Sequence, residues 1–289
     1  MAANTRDIRR RIKSVKNTAQ ITKAMQMVAA SKMRKAQLLA LDGRPYAQLL
    51  NRISAAVNEV QGGDIKHPLI EVREVKKELL IIISTDKGLC GALNTNLLRE
   101  AAKFDPAKTD FVTAGRKGAQ WVARSNRNLL AEFQLKDTPS FVETKAISKM
   151  AIEKFLDGSV DKVSVLVTRF VNTLTQEPVV FQLLPVAALP VNKDLEKIAA
   201  EKGGIDAIFE PSPAAVLDAL LPYYAHFAVY RAVVEARAAE HSARMVAMKS
   251  ATDNAKSLIK DLTLEYNKVR QASITTELLE ITTAQMALG

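Results

Sequence analysis

The sequence predicts an α/β domain combined with a long antiparallel coiled coil, on three observations. Met1 to Asp42 contains neither Gly nor Pro and repeats its apolar residues at heptad spacing. Tyr223 to Leu288 does the same over a longer stretch. Between them, short β-branched runs alternate with amphipathic helical ones, the rhythm of a sheet with helices on its faces.

In the first element Ile8, Ile12, Val15, Ala19, Thr22, Gln26, Ala29, Met33, Ala36 and Ala40 recur at alternating steps of four and three. That spacing keeps one stripe facing a partner helix. Four of the ten seam residues are Ala, and Thr22 and Gln26 make the seam partly polar. A seam this slim lets a partner approach closely but buries little area, at about 25 cal/mol per Å² of apolar surface. This helix therefore depends on its partners. Gly43 and Pro45 interrupt the pattern, Leu49, Leu50, Ile53 and Val57 resume it, and Gly62 and Gly63 stop it.

The middle opens with a buried strand at Glu78 to Ser84, followed by a helix at Asn96 to Phe104, a strand at Asp110 to Ala114 and a helix at Arg116 to Arg124. A further helix is read at Ser148 to Leu156. Strands at Lys162 to Asn172 and Val179 to Leu184 follow, joined through a turn near Thr173 to Pro178.

The last element runs roughly 66 residues without Gly or Pro, about 100 Å as one helix. Its seam includes Leu217, Leu220, Tyr224, Phe227, Val234, Ala238, Met245, Met248, Ala255, Ile259, Leu262, Tyr266 and Val269. After a slip in register it continues as Ile274, Leu278, Ile281, Gln285 and Leu288, a stutter that locally unwinds a supercoil. The two terminal helices can pair antiparallel if the middle brings its own ends together; the seams alone also fit a coiled-coil homodimer. The resulting division is a helix over 1–61, a small Rossmann-like α/β domain over 75–190, a connecting segment over 191–213 and a helix over 214–289.

Composition narrows the function. The 289 residues are 48% hydrophobic and 25% charged, enough for a buried core, but only 5% aromatic, which suits seams built from Ala, Met, Leu and Ile. The formal net charge is +10. Near the start, Arg6, Arg9, Arg10, Arg11, Lys13, Lys16, Lys23, Lys32, Arg34 and Lys35 face one acid, Asp7, so the partner there is acidic. No aromatic residue precedes Tyr46, so the stacking platforms of single-strand binders are missing, while an acidic protein surface and duplex phosphate both fit. The lone Cys90 can form no internal disulfide, and no apolar region follows the basic start as in a secretory signal. The same Arg-rich, acid-poor start also fits an organelle transit peptide. The longest apolar run, Leu79 to Ile83, cannot cross a bilayer, so membrane association would be peripheral.

The segment Ser84 to Asn94 (STDKGLCGALN) sits at a strand-to-helix junction, where phosphate loops occur. Its chemistry is wrong for one: Gly88 and Gly91 have only two residues between them, Ala92 follows, and the third glycine of a dinucleotide fingerprint is absent. The glycines read as turn formers. Cys90 has no pairing pattern with His67, His226 or His241 and reads as a packed thiol. No HExxH, CxxC or GxSxG occurs, and Glu235, Glu240, Glu277 and Glu280 read as a solvated or partner-facing helix surface.

Four segments in order, Ile21 to Ala36 (ITKAMQMVAASKMRKA), Ser84 to Asn94, Arg244 to Asn254 (RMVAMKSATDN) and Tyr266 to Thr275 (YNKVRQASIT), resemble the γ subunits of F-type ATP synthases. The likeness covers nearly the whole chain, and the start at residue 1 matches bacterial members. The resemblance implies a central-stalk rotor without catalytic residues, cofactor or metal of its own, whose terminal helices form a shaft inside a hexamer of α and β subunits. It implies ε, δ and the c-ring as further partners, no nucleic acid, and a peripheral place on the cytoplasmic face of the bacterial inner membrane. It implies that the shaft couples proton flow to ATP synthesis on other chains. By the same resemblance Met25, Arg244, Arg270, Gln271, Thr275, Glu277 and Glu280 are contacts that couple the shaft to surrounding subunits, and Phe209 and Glu210 in FEPSP approach ε and the ring. The family often has aspartate where Ser212 stands, a departure of this chain from the family's pattern. From another class, the basic helices alone would also suit a coiled-coil nucleic-acid binder, with salt-dependent duplex affinity.

Overall fold

The computed structural model describes residues 5–43, 45–46, 49–50, 53, 67–186, 210 and 212–288. Their main elements are α1 (Thr5–Asp42), β1 (Glu78–Ile83), α2 (Leu93–Ala101), β2 (Thr109–Ala114), α3 (Arg116–Arg124), β3 (Leu129–Phe133), α4 (Phe141–Leu156), β4 (Lys162–Phe170), β5 (Gln176–Leu184) and α5 (Pro213–Leu288). The chain divides into two compact units, Met1–Ala29 with Arg244–Gly289, and Ala30–Ala243.

In the first unit the heptad reading meets the burial. Ile8, Thr22 and Ala29 are buried and Ile12, Val15, Ala19 and Gln26 half-buried, while the residues between them are mostly exposed. On α5, Met248, Thr252, Ala255 and Leu262 are buried and Ile259, Tyr266 and Val269 half-buried. The steps from 248 to 269 alternate four and three, so one stripe of each helix covers the other. Beyond Val269 the stripe ends, and every described side chain over 270–286 is exposed.

The second unit holds a five-stranded sheet in the order β3-β2-β1-β4-β5. β1 pairs in parallel with β2 and β4, β2 in parallel with β3, and β5 joins β4 antiparallel at the edge. The alternation of β1 assigns the two faces. Leu80 and Ile82 pack with Leu97 and Ala101 of α2 and Val122 of α3. Leu79, Ile81 and Ile83 pack with Ile147, Ala151 and Phe155 of α4 and with Leu217, Leu221, Ala225, Val229, Ala232 and Val233 of α5. The last six make a second apolar stripe on α5, which shares only Leu217 with its heptad seam. Each of these fully buried Leu and Ile side chains contributes about 1.5–3 kcal/mol relative to exposure.

Within this unit α1 ends antiparallel to α5. Gly43 lies beside the Phe227 ring, and Tyr46, further along, packs with its ring tilted against Phe227 at 4.9 Å and Tyr223 at 5.7 Å. Phe141 and Tyr230 extend the same aromatic cluster. Met33 is half-buried and Ala36 buried as the seam requires, but Ala40 is exposed.

Four elements differ from the sequence expectation. α2 spans Leu93–Ala101 in place of the expected Asn96 to Phe104, since 102–104 turn out of the helix. The strand Leu129–Phe133 was not foreseen; it is short and only half-buried at the sheet edge. α4 begins at Phe141, seven residues ahead of the expected Ser148, because Ser140 and Glu143 form a capping box: the Ser140 hydroxyl accepts from the Glu143 N–H (3.3 Å) and the Glu143 carboxylate from the Ser140 N–H (3.1 Å). β5 includes Pro178, expected in a turn; an edge strand tolerates the missing N–H. α5 in turn begins on Pro213 at its first turn and runs through Pro222.

Candidate interaction surface

In a doubly wound sheet, ligands enter the crevice at the carboxyl ends of the strands where the chain order reverses. Here the reversal lies between β1 and β4, because α2 and α3 cover one face and α4 the other. The loop after β1 reaches that point and is spent on internal bonds. The Ser84 hydroxyl donates to the Gly115 carbonyl (3.1 Å) and accepts the Gly118 N–H (2.8 Å). The Asn94 amide donates to the Thr85 hydroxyl (2.7 Å) and to Cys90 Sγ (3.4 Å). Cys90 is buried against Leu93, Ala239 and Ala243, the packed thiol that its surroundings in sequence suggest. Gly91, at φ +61°, takes the left-handed turn.

The crevice itself is filled by α5. Arg237, nearly fully buried, donates to Glu240 (2.8 Å), to the Asp86 carboxylate after β1 (3.3 Å) and to the Leu135 carbonyl after β3 (2.9 Å). The cavity left among Ser84, Thr85, Thr168, Val233, Arg237 and Glu240 measures about 10 Å³, room for at most one water. Two of the glutamates read as surface are therefore not on it: Glu240 is buried and Glu235 half-buried, whereas Glu277 and Glu280 are exposed. Arg237 was missed; an Arg three residues before Glu240, inside an otherwise apolar and Ala-rich run, was the available signal.

The residues singled out for coupling fall on the paired helices. Met25 is half-buried beside the α1 seam, and Arg244 is half-buried on α5. Arg270, Gln271, Thr275, Glu277 and Glu280 lie on the bare end of α5. There the Thr275 hydroxyl donates back to the Gln271 carbonyl (2.9 Å) and Ser273 to Glu277 (3.5 Å), so the Thr275 and Glu277 side chains are held by their own helix. The same end exposes Ile274, Leu278, Leu279, Ile281 and Met286. Five large apolar side chains on one bare helix end are more than singly scattered surface residues.

Elsewhere, Glu210 is exposed at a bend, and Phe209 lies outside the described residues. Ser212 is the cap of α5: its hydroxyl accepts the Ala215 N–H (3.3 Å), a task an aspartate would share. On α1, Arg9, Arg10, Arg11, Lys13, Lys16 and Lys23 are exposed. Lys32 instead pairs with Asp137 within the second unit, and this hydrogen bond holds the Asp137 carboxyl below its usual range. Among the described residues no group of His, Cys, Asp and Glu could hold a metal ion, and no helix is long and apolar enough to cross a membrane.

Comparison with known proteins gives one answer. A family model described as ATP synthase matches residues 4–288. The chain is 50% identical to the ATP synthase gamma chain of Methylacidiphilum infernorum (isolate V4), over 99% of this chain and 100% of that one. It is 51% identical to the gamma chain of Opitutus terrae, over 99% of each. Among solved structures, the Euglena gracilis mitochondrial ATP synthase (OSCP/F1/c-ring, rotational state 3) has a chain of like fold, with TM-score 0.70 and 22% identity over 98% of this chain and 94% of that one. The central stalk and c-ring of the Tetrahymena thermophila enzyme has another, with TM-score 0.62 and 26% identity over 80% and 99%.

Proposed function

This chain belongs to the ATP synthase gamma-chain family, and from that premise we propose that it is the central-stalk rotor of a proton-translocating F-type complex. It passes torque between a c-ring in the membrane and a hexamer of α and β subunits, where ATP is made; it has no catalytic site of its own. The observation that carries this reading is the bare end of α5. From Arg270 to Met286 all side chains are exposed, with five large apolar ones among them, on a helix whose seam has already ended. A sleeve of surrounding subunits would cover that surface without fixing it in one orientation.

In this reading Met25 and Arg244 belong to the coupling region, and Arg270, Gln271, Thr275, Glu277 and Glu280 meet loops of the α and β subunits. Phe209 and Glu210 face ε and the ring. The exposed cations of α1 meet acidic groups on β. The divisions 1–61, 75–190, 191–213 and 214–289 correspond to shaft helix, α/β domain at the foot, connection and shaft helix. The protein then sits on the cytoplasmic face of the inner membrane, held there through the ring, with δ as a further member of the complex. The comparisons give the nucleic-acid alternative no support.

Co-expression with α and β subunits tests the reading. The chain should co-purify in an ATPase-active complex; if it never joins one, the rotor assignment fails.

A further inference from the structure

We propose that Arg237 is a positioning residue for torque transfer: it locks α5 into the crevice of the sheet so that torque on the α/β layer is passed to the helix. The proposal rests on the rotor reading above and adds to it the place where helix and sheet are fastened.

The crevice is where this topology ordinarily admits a ligand's charge. Here one guanidinium occupies it and joins three parts of the fold. Its bonds reach Glu240 on its own helix, Asp86 after β1 and the Leu135 carbonyl after β3. Asp86 is itself held, because its other oxygen accepts the Arg116 N–H at the start of α3 (3.1 Å). The β4–β5 hairpin grips the same stretch of α5 from another side. The Ser242 hydroxyl donates to the Thr173 carbonyl in the hairpin's turn (2.9 Å). Turning α5 about its axis against the sheet would break these bonds together.

The surrounding apolar contacts resist separation of the layers but are not directional. A buried, charge-assisted set of hydrogen bonds is directional, so it resists sliding and rotation as well. Only an arginine can make all three bonds at once. A lysine carries the same charge on a compact head with no planar fork, so it would neutralise the carboxylates and lose the geometry.

Arg237→Lys therefore separates fastening from folding. Complexes with the unchanged chain and with the variant are incorporated into lipid vesicles, and ATP hydrolysis and ATP-driven proton uptake are measured together. Rotation of an attached bead is followed under increasing viscous load. The variant should hydrolyse ATP at the unchanged rate without load, yet move roughly threefold fewer protons per ATP and stall at a lower load. Amide exchange over 235–242 should also quicken. Equal proton uptake per ATP and equal stall load would overturn the proposal. So would failure of the lysine variant to assemble, since Arg237 would then serve folding and not load. Failure of the unchanged chain to assemble would instead remove the rotor reading and this proposal with it.

Discussion

Thr22 on α1 and Thr252 on α5 bring their hydroxyl oxygens to 2.8 Å inside the seam of the helix pair, where neither has access to solvent worth the name. Two protons serve three contacts there. Thr252 also lies 2.8 Å from the Met248 carbonyl and Thr22 3.1 Å from the Ala19 carbonyl. The shorter backbone bond takes the Thr252 proton, which leaves Thr22 to donate across the seam. A polar pair at one level of an otherwise apolar seam penalises other registers, since a slipped helix would bury a hydroxyl against methyl groups.

Thr252→Val should therefore cost only about 1 kcal/mol, because Thr22 can turn its proton to the Ala19 carbonyl and no buried donor is orphaned. The double variant with Thr22→Val should be no less stable than the single one. Urea titration followed by circular dichroism reads both, and a loss of several kcal/mol for either would contradict the proton assignment.

The helix pair was legible because its period is local. Ile8, Thr22, Ala29 and Ala36 were placed by spacing and are buried, and Ala40, the last residue of the same count, is not. The face of α5 toward the sheet was not legible. Leu221, Ala225, Val229 and Val233 follow a second stripe that the heptad count passes over, and only the sheet shows what it is for. Arg237 was hidden for a related reason: Asp86 and Leu135, the partners that make it more than a helix cation, are distant in sequence. The coupling residues came from resemblance, and the fold adds only that those on 270–280 are bare.

Gly115 packs directly against Ser84 at the end of β1. Its φ is +116°, and an added Cβ would stand 2.3 Å from the Ser84 carbonyl oxygen. Gly115→Ala should lower stability by about 3 kcal/mol or more, through strain and contact together. Gly88→Ala, where a Cβ meets nothing within 4 Å, should stay within about 0.5 kcal/mol. Thermal melting of the two variants side by side makes the comparison.

His226 should make the second unit sensitive to mild acid. Its Nδ1 lies 2.7 Å from the Ser148 hydroxyl, and burial, helped by the Lys145 charge, holds its pKa below the ordinary 6.5. The unfolded chain then takes up the proton first. Stability present above 6.5 is lost as the pH falls through the ordinary value to the lowered one, below which both states are protonated. His226→Gln removes the titration and keeps a partner for Ser148. The urea midpoint of the variant should vary less over that window; an identical pH profile would show that His226 contributes nothing to it.

Leu278 is 58% exposed on the bare end of α5. Leu278→Lys should leave the melting of the isolated chain within about 0.5 kcal/mol, because no contact inside the chain is lost. Assembly with α and β subunits should weaken, since the charge would have to be desolvated in the sleeve. Unimpaired assembly, measured by co-purification under competition with the unchanged chain, would mean that this face stays wet in the complex.

Met25 tests the coupling assignment most directly. It is half-buried beside the seam rather than in it, so a lysine can lay its stem along the helix and keep its ammonium in water. Met25→Lys should therefore fold and assemble. In the proposed complex the new cation lies in the coupling region with Arg244, where it would form a contact with acidic groups of a surrounding subunit that the methionine does not make. An added attraction that differs among rotational positions holds the shaft in some of them, and ATP hydrolysis then drives less transport. Vesicles carrying the variant should hydrolyse ATP but pump fewer protons per ATP, and high salt should restore part of the loss by screening the contact. Unchanged pumping per ATP would remove Met25 from the coupling region.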